Sequence, residues 1–273
     1  MQMKKRIALV LVFVLIFVLF GCGRVQKPVL RVAMSPDFPP MEFIDDTKTG
    51  QNRFVGFDVS LANYLAKGLG MELEIVPMSF EDCQDAVAEG DVDLAISGFS
   101  WLPQRQERFN LSVTYRAGDN SSEQLLLTTR ENAARFDSAE ALKGVCVGVQ
   151  TASLQEWLAQ EQLPGTVLYS YEDLDQGVVL LHENSIEAMA VAEGNANAIL
   201  AANPDLAIAP FRFEVSEELT DNLILLQKGE DALTEAVDLL LIKAEEAGYY
   251  RQWYADALKQ AGIEPAPTAS AEE

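Results

Sequence analysis

DLAISGFSWLPQR, residues 93–105, takes a short apolar segment into Ser-Gly-Phe-Ser and then presents an arginine. The apolar part reads as a buried strand, and Pro103 suits the first turn of a helix that follows it. In an open parallel sheet, ligands sit beyond the carboxyl ends of strands, where helix N-termini point. Ser97, Gly98 and Ser100 are therefore expected in a turn at such an end, with Arg105 projecting near the helix start. A guanidinium is a planar fork of donors suited to a carboxylate, and small residues beside it let backbone N–H groups reach the same anion. The competing expectation is an arginine paired with one of the chain's many surface acids.

On either side the same grammar continues. VLRVAM (29–34) and LEIVP (73–77) are strand candidates, with a helical pattern between them from Phe57 to Leu69. In that pattern Phe57, Leu61, Tyr64, Leu65 and Leu69 share one face, which marks them first as core. Ser79 and Asp82 form a capping pair ahead of the apolar face Phe80, Cys83 and Val87. After a polar cluster at 118–124 a second series begins: LLLTT, VCVGV, a helix from Ser153, TVLYS, a helix from Tyr171, and AMAVA at 188–192. Strands alternating with helices predict an α/β protein of two mostly parallel sheets flanked by helices. The second strand-to-helix junction, Gln150-Thr151-Ala152-Ser153, also offers hydroxyls and small residues. One junction per lobe can then face the other across a cleft. From Asp231 the pattern is helical, and EPAPTASAEE (264–273) has no apolar period and is expected to be a disordered acidic tail.

Composition excludes several classes. Lysine and arginine number 20 against 42 acids, a formal charge of −22, so neither phosphate neutralisation on nucleic acid nor adsorption of the folded part to anionic lipid is expected. Lys4, Lys5 and Arg6 precede an apolar run from Ile7 to Phe20 that is shorter than the roughly 20 residues of a spanning helix, which is signal-peptide anatomy. LFGC (19–22) resembles a bacterial lipobox, with Cys22 as the lipidated new N-terminus and 22–28 as a tether. Cys83 and Cys146 are expected in different lobes and unpaired. His182, the only histidine, falls at a helix end. The sequence has no P-loop, CxxC or HExxH pattern and no nucleophilic triad, so no metal and no cofactor is expected.

The accumulated stretches resemble the bacterial extracellular solute-binding proteins of family 3, which deliver polar amino acids to ABC importers. The resemblance lies in LRVAMSPDFPPMEF (30–43), VGFDVSLANYLAKGLG (55–70), GDVDLAISGFSWLPQRQERFNLSVTY (90–115), ALKGVCVGVQTAS (141–153), NPDLAI (203–208) and the terminal GYYRQWY. It implies a two-lobe periplasmic-binding-protein-like clamp of type II. Residues 29–122 with 216–263 would form one lobe and 123–215 the other. It also implies a monomer on the outer face of the cytoplasmic membrane, held by its lipid, with an ABC permease as partner and a small carboxylate, an amino acid, as solute.

Residue by residue, Phe38 matches the aromatic that stacks on the solute and Phe57 a second aromatic wall, although periodicity gives Phe57 to the core. Ser97, Gly98 and Ser100 match positions that offer backbone and hydroxyl contacts, and Arg105 the arginine that grips the α-carboxylate. Thr151 and Ser153 fall in the second-lobe carboxylate loop, with Ala152 where glycine is usual and Leu102 where a capping threonine is common. The strand AMAVA ends in Ala192 where similar proteins carry an ammonium-binding aspartate, and Glu193 is the next acid able to supply that charge. Burying an unpaired ammonium costs several kcal/mol, enough to reject ordinary amino acids. Two further functions share these features: a dehydratase-like cleft enzyme using Glu193 or Glu42 as general acid, and a solute sensor without transport.

Overall fold

The computed structural model describes residues 27–116 and 123–263. The signal segment, Cys22, most of the tether and the acidic tail lie outside these residues. The first part comprises strands β1 (Val29–Met34), β2 (Asp37–Phe38), β3 (Glu42–Ile44), β4 (Phe54–Val55), β5 (Glu72–Pro77), β6 (Leu94–Ser100) and β7 (Phe109–Leu111), with helices α1 (Phe57–Gly68), α2 (Phe80–Glu89) and α3 (Pro103–Arg108). Then come β8 (Gln124–Thr129), β9 (Cys146–Gln150), α4 (Leu154–Gln162), β10 (Val167–Tyr171), α5 (Leu174–His182), β11 (Ala188–Ala192), α6 (Glu193–Ala202) and β12 (Leu206–Arg212). The chain ends in β13 (Asn222–Gln227), α7 (Asp231–Glu246) and α8 (Tyr249–Ala261).

Two five-stranded sheets result, in the orders β5-β1-β6-β13-β7 and β10-β9-β11-β8-β12. In each, one strand opposes the rest: β13 runs antiparallel to β6 and β7, and β8 to β11 and β12. The chain thus leaves the first sheet after β7, builds the second, and returns through β13 to fill a slot beside β6. That return changes the reading of residues 97–100. They are not a turn: β6 continues to Ser100, because Asn222 pairs with Ser100 and Leu223 with Phe99. Gly98, at φ +59, sits where the register of that pairing shifts. A partner strand more than a hundred residues away extends this segment, and no local pattern announces it.

Local chemistry sets the helix starts. Ser79 Oγ accepts from Asp82 N at 3.1 Å and Ser153 Oγ from Glu156 N at 3.1 Å, each satisfying an orphan amide of the first turn. α5 begins at Leu174 rather than at Tyr171, since Tyr171 completes β10 and Asp173 is the cap, accepting from Gln176 N at 2.7 Å. The first core joins Leu30, Val32, Leu61, Leu65 and Ile224, and the aromatics of α8 close over α1. The second sheet buries Val147, Val149 and Leu158 on one face and Leu125, Met189 and Leu181 on the other. Cys83 and Cys146 are both free, one behind each sheet. Among the described residues no helix is long and apolar enough to cross a membrane, and no cluster of ligating side chains could hold a metal ion.

Candidate functional site: an interlobe cavity around Arg105

A cavity of about 360 Å³ lies between the carboxyl ends of the two sheets. Phe38, Glu42, Phe80, Gly98, Ser100 and Arg105 line it from the first lobe, and Gln150, Ser153, Ala192 and Asn195 from the second. Five of the sequence-derived candidates are therefore brought together: Phe38, Gly98, Ser100, Arg105 and Ser153. Four stand elsewhere. Phe57 is fully buried in the first core, stacked on Tyr115 at 6.0 Å and edge-on to Tyr250 and Trp253, so the periodicity and not the resemblance describes its place. Ser97 lies beneath the cavity floor, its Oγ accepting from Ser35 N at 3.0 Å and donating to Glu42 Oε1. Thr151 Oγ1 donates to Tyr171 O at 3.1 Å. Glu193 opens α6 outside the lining, its amide donating to Glu123 O at 2.8 Å. Trp101 packs against both cores and does not enter.

Pro103 starts α3, and Arg105, on its first turn, is only 1% exposed. Its guanidinium carbon stands 5.5 Å from the Phe80 ring centroid and 5.2 Å from that of Phe99. Nη1 donates to Ser100 O at 2.7 Å, Nε to Gln84 Oε1 at 3.1 Å and Nη2 to Ala152 O at 2.7 Å, across the lobes. These acceptors are all neutral, so the expectation of a surface ion pair fails for this arginine. Burial lowers its pKa to about 9, so the group remains a cation at neutral pH, and two of its five N–H donors have no part in these bonds. A buried cation with only neutral partners is electrostatically incomplete, and a carboxylate is its natural complement. Ala152, which supplies the second-lobe carbonyl, has φ +60, a left-handed conformation that suits glycine better.

Phe38 lies directly on Gly98: a Cβ there would come within 2.8 Å of Phe38 Cε1. Next to it, Glu42 is 1% exposed and its Oε2 has no donor partner. Asp58, fully buried at the start of α1, accepts from Tyr115 Oη and Gly98 N, both at 2.9 Å. Burial, then the neighbouring Asp58 charge, pushes the Glu42 carboxyl well above the usual range. Asp58 is pushed by burial up to about 7, against the pull of its Tyr115 and Gly98 bonds. Two adjacent buried carboxyls do not readily both ionise, and both shifts run toward the neutral acid.

Asp37 joins the lobes. Its Oδ2 accepts from Leu174 N, at the start of α5, at 3.0 Å and from Gln150 Nε2 at 3.3 Å, while Oδ1 accepts from Ser35 Oγ at 3.0 Å. Burial raises its pKa and the Leu174 amide opposes the rise. Asp37, Gln84, Gln150 and Asn195 were not singled out from sequence as contributors, and only their spacing from the two junctions, in SPDFPP and VGVQ, could have suggested the first and third.

Residues 30–260 match the family model of the bacterial extracellular solute-binding proteins, family 3. The chain belongs to this family. Its members here include the arginine-binding extracellular protein ArtP of Bacillus subtilis (strain 168), 33% identical over 168 residues, 59% of this chain. That alignment spans 62% of the relative, under two thirds of its length. A cyclohexadienyl dehydratase of Pseudomonas aeruginosa is 28% identical over 83% of this chain and 81% of its own. Among solved structures, the amino acid ABC transporter substrate-binding protein AbpA of Streptococcus pneumoniae Canada MDR_19A, bound to L-arginine, superposes with a TM-score of 0.76 at 33% identity, covering 87% of this chain and 97% of that one. The family 3 clamp, two α/β lobes of the type II periplasmic-binding-protein kind, is thus the fold of this chain.

Proposed function

We propose that the protein is the substrate-binding component of an ABC importer and captures a basic amino acid, of which arginine is the test case, between its two lobes. The observation that carries this reading is Arg105, buried in an interlobe cavity and bonded only to neutral oxygens. A ligand carboxylate completes that cation, with Ser100 on one side and the Ala152–Ser153 junction on the other. Phe38 supplies an apolar wall, and Glu42 Oε2, without a donor, takes the cationic end of the side chain. The bodies formed by 29–122 with 216–263 and by 123–215 hinge over the solute, which bridges them and stabilises the closed form that a permease recognises. Cys22 carries the lipid that holds the monomeric receptor on the outer face of the cytoplasmic membrane. The arginine-binding names of the relatives support the choice of solute.

Proton linkage makes the ligand class testable. A cation at Glu42 favours the ionised carboxylate, whereas burial and Asp58 favour the protonated form in the free protein. Affinity for a cation therefore falls as pH falls through the raised range. Calorimetric titration with L-arginine, on protein refolded to remove carried-over solute, is expected to give binding tighter at pH 8 than at pH 6. Equal affinities at the two pH values, or binding of glutamate in preference, would overturn the basic-ligand reading.

A second reading, a dehydratase in the same cleft, draws on the Pseudomonas relative and on Glu42 as a neutral carboxyl able to donate a proton. Arg105 and Phe38 serve a receptor equally well, and prephenate followed optically is expected to come back unchanged; steady turnover would move the protein to the enzyme class.

A further inference from the structure

Asn195 is 7% exposed, lines the interlobe cavity, and holds its Oδ1 buried without a hydrogen-bond partner. A buried amide oxygen left unpaired costs about 1–3 kcal/mol, so an oxygen with no protein donor at a cavity wall marks a place where a ligand donor belongs. Asn195 stands on the first turn of α6, directly after Ala192 at the end of β11. β11 is the sheet neighbour of β9, with Ala188 level with Val147 and Met189 with Gly148. Just beyond these two strands Ser153, Ala192 and Asn195 all line the cavity, so the α6 start shares a wall with the junction that faces Arg105. A ligand whose carboxylate sits at that junction therefore brings the substituent on its α-carbon to Asn195.

No unpaired charge competes for that substituent from the second lobe. Ala192 offers a methyl group, and the one acid lining the cavity from this side among the described residues, Glu123, is paired with Arg212 at 2.5 Å. In the first lobe Asp37 is already bonded by Leu174 N, Gln150 and Ser35.

We propose that Asn195 reads the α-substituent of the bound acid, and that this reader, being uncharged, admits 2-hydroxy acids alongside amino acids. The inference rests on the receptor reading above. A carboxylate only accepts hydrogen bonds and adds a full charge, so it separates ammonium from hydroxyl strongly. An amide carries an acceptor end and a donor end and adds no charge. Its half-turn exchanges the two, and since Oδ1 has no partner the turn breaks no bond of that atom. Ammonium and hydroxyl are each satisfied, and neither gains the Coulombic term.

The test is a calorimetric titration with L-arginine and with argininic acid, its 2-hydroxy counterpart, of the unaltered protein, Asn195→Asp and Asn195→Leu. For the unaltered protein the two affinities are expected to lie within about tenfold of each other, and Asn195→Asp is expected to separate them about 100-fold or more in favour of arginine. Asn195→Leu, of similar volume, is expected to weaken both. A protein that binds arginine but rejects argininic acid more than about 100-fold, or an Asn195→Asp change that leaves the ratio where it was, overturns this proposal and leaves the receptor reading standing. No binding of either compound overturns both.

Discussion

Arg105→Ala is expected to lower the affinity for L-arginine by about 100- to 1,000-fold while both lobes remain folded, because truncating one member of a buried, hydrogen-bonded charge pair costs about 2–5 kcal/mol and leaves the other charge stranded. The cost to the fold is smaller for a physical reason. In the free protein the guanidinium is itself a buried charge with neutral partners, so its loss frees Ser100 O, Ala152 O and Gln84 but also removes a desolvated cation. Arg105→Lys tests the geometry apart from the charge: an ammonium lacks the planar fork and is not expected to restore binding. Calorimetry reads the affinity and the thermal midpoint reads the fold. An unchanged affinity in Arg105→Ala would remove the central element of the proposed site.

Gly56→Ala is expected to be the most damaging single methyl group in the protein. Gly56 has φ +122, and a Cβ there would lie 2.3 Å from Met41 O, 2.8 Å from Met41 C and 2.9 Å from Pro40 O. These are backbone atoms and cannot rotate aside. They are held close because Phe57 N donates to Pro40 O at 3.1 Å and Asp58 N to Met41 O at 2.9 Å, which straps the Phe38–Glu42 segment to the start of α1. Relief of the clash must break that strap and shift both Phe38 and Glu42. A loss of about 3 kcal/mol or more is expected, together with a fall of roughly 6–12 °C in the thermal midpoint. Gly194→Ala, where a Cβ meets nothing within 4 Å, is the control expected to leave the midpoint within a few degrees. Equal midpoints for the two variants would mean that the strap is not rigid. Since Gly56 does not itself line the cavity, weaker arginine binding in Gly56→Ala would report how strongly the strap positions Phe38 and Glu42.

The elements were legible where their cause is local. The strand VLRVAM, the stripe of α1, the Ser79 cap and the strand AMAVA follow from alternation, helical spacing and a hydroxyl three residues ahead of an amide. Phe57 shows the same logic at a candidate site residue, since its spacing on α1 placed it correctly in the core while likeness to other chains placed it in the site. Residues 97–100 went the other way. Their composition suits a turn, yet they are strand, because β13 arrives from residues 222–227 to pair with them.

By itself the sequence determined the class of protein: an acidic chain of alternating strands and helices in two series, with a strand-to-helix junction in each and an arginine at the first. Tertiary structure alone decided which side chains meet. Glu42 and Asp58 are both pushed toward the neutral acid because β3 and the start of α1 bury them together, and neither residue signals this in its own neighbourhood. Arg105 reaches Ala152 and Asp37 reaches Leu174 only because the lobes close over one cavity. Asn195 is conspicuous only once its oxygen is seen to be buried and unpartnered. Secondary structure answers to forces a few residues in range, which a sequence displays, whereas desolvation and charge pairing at the site depend on segments that come together only through the sheet order and the return of the chain.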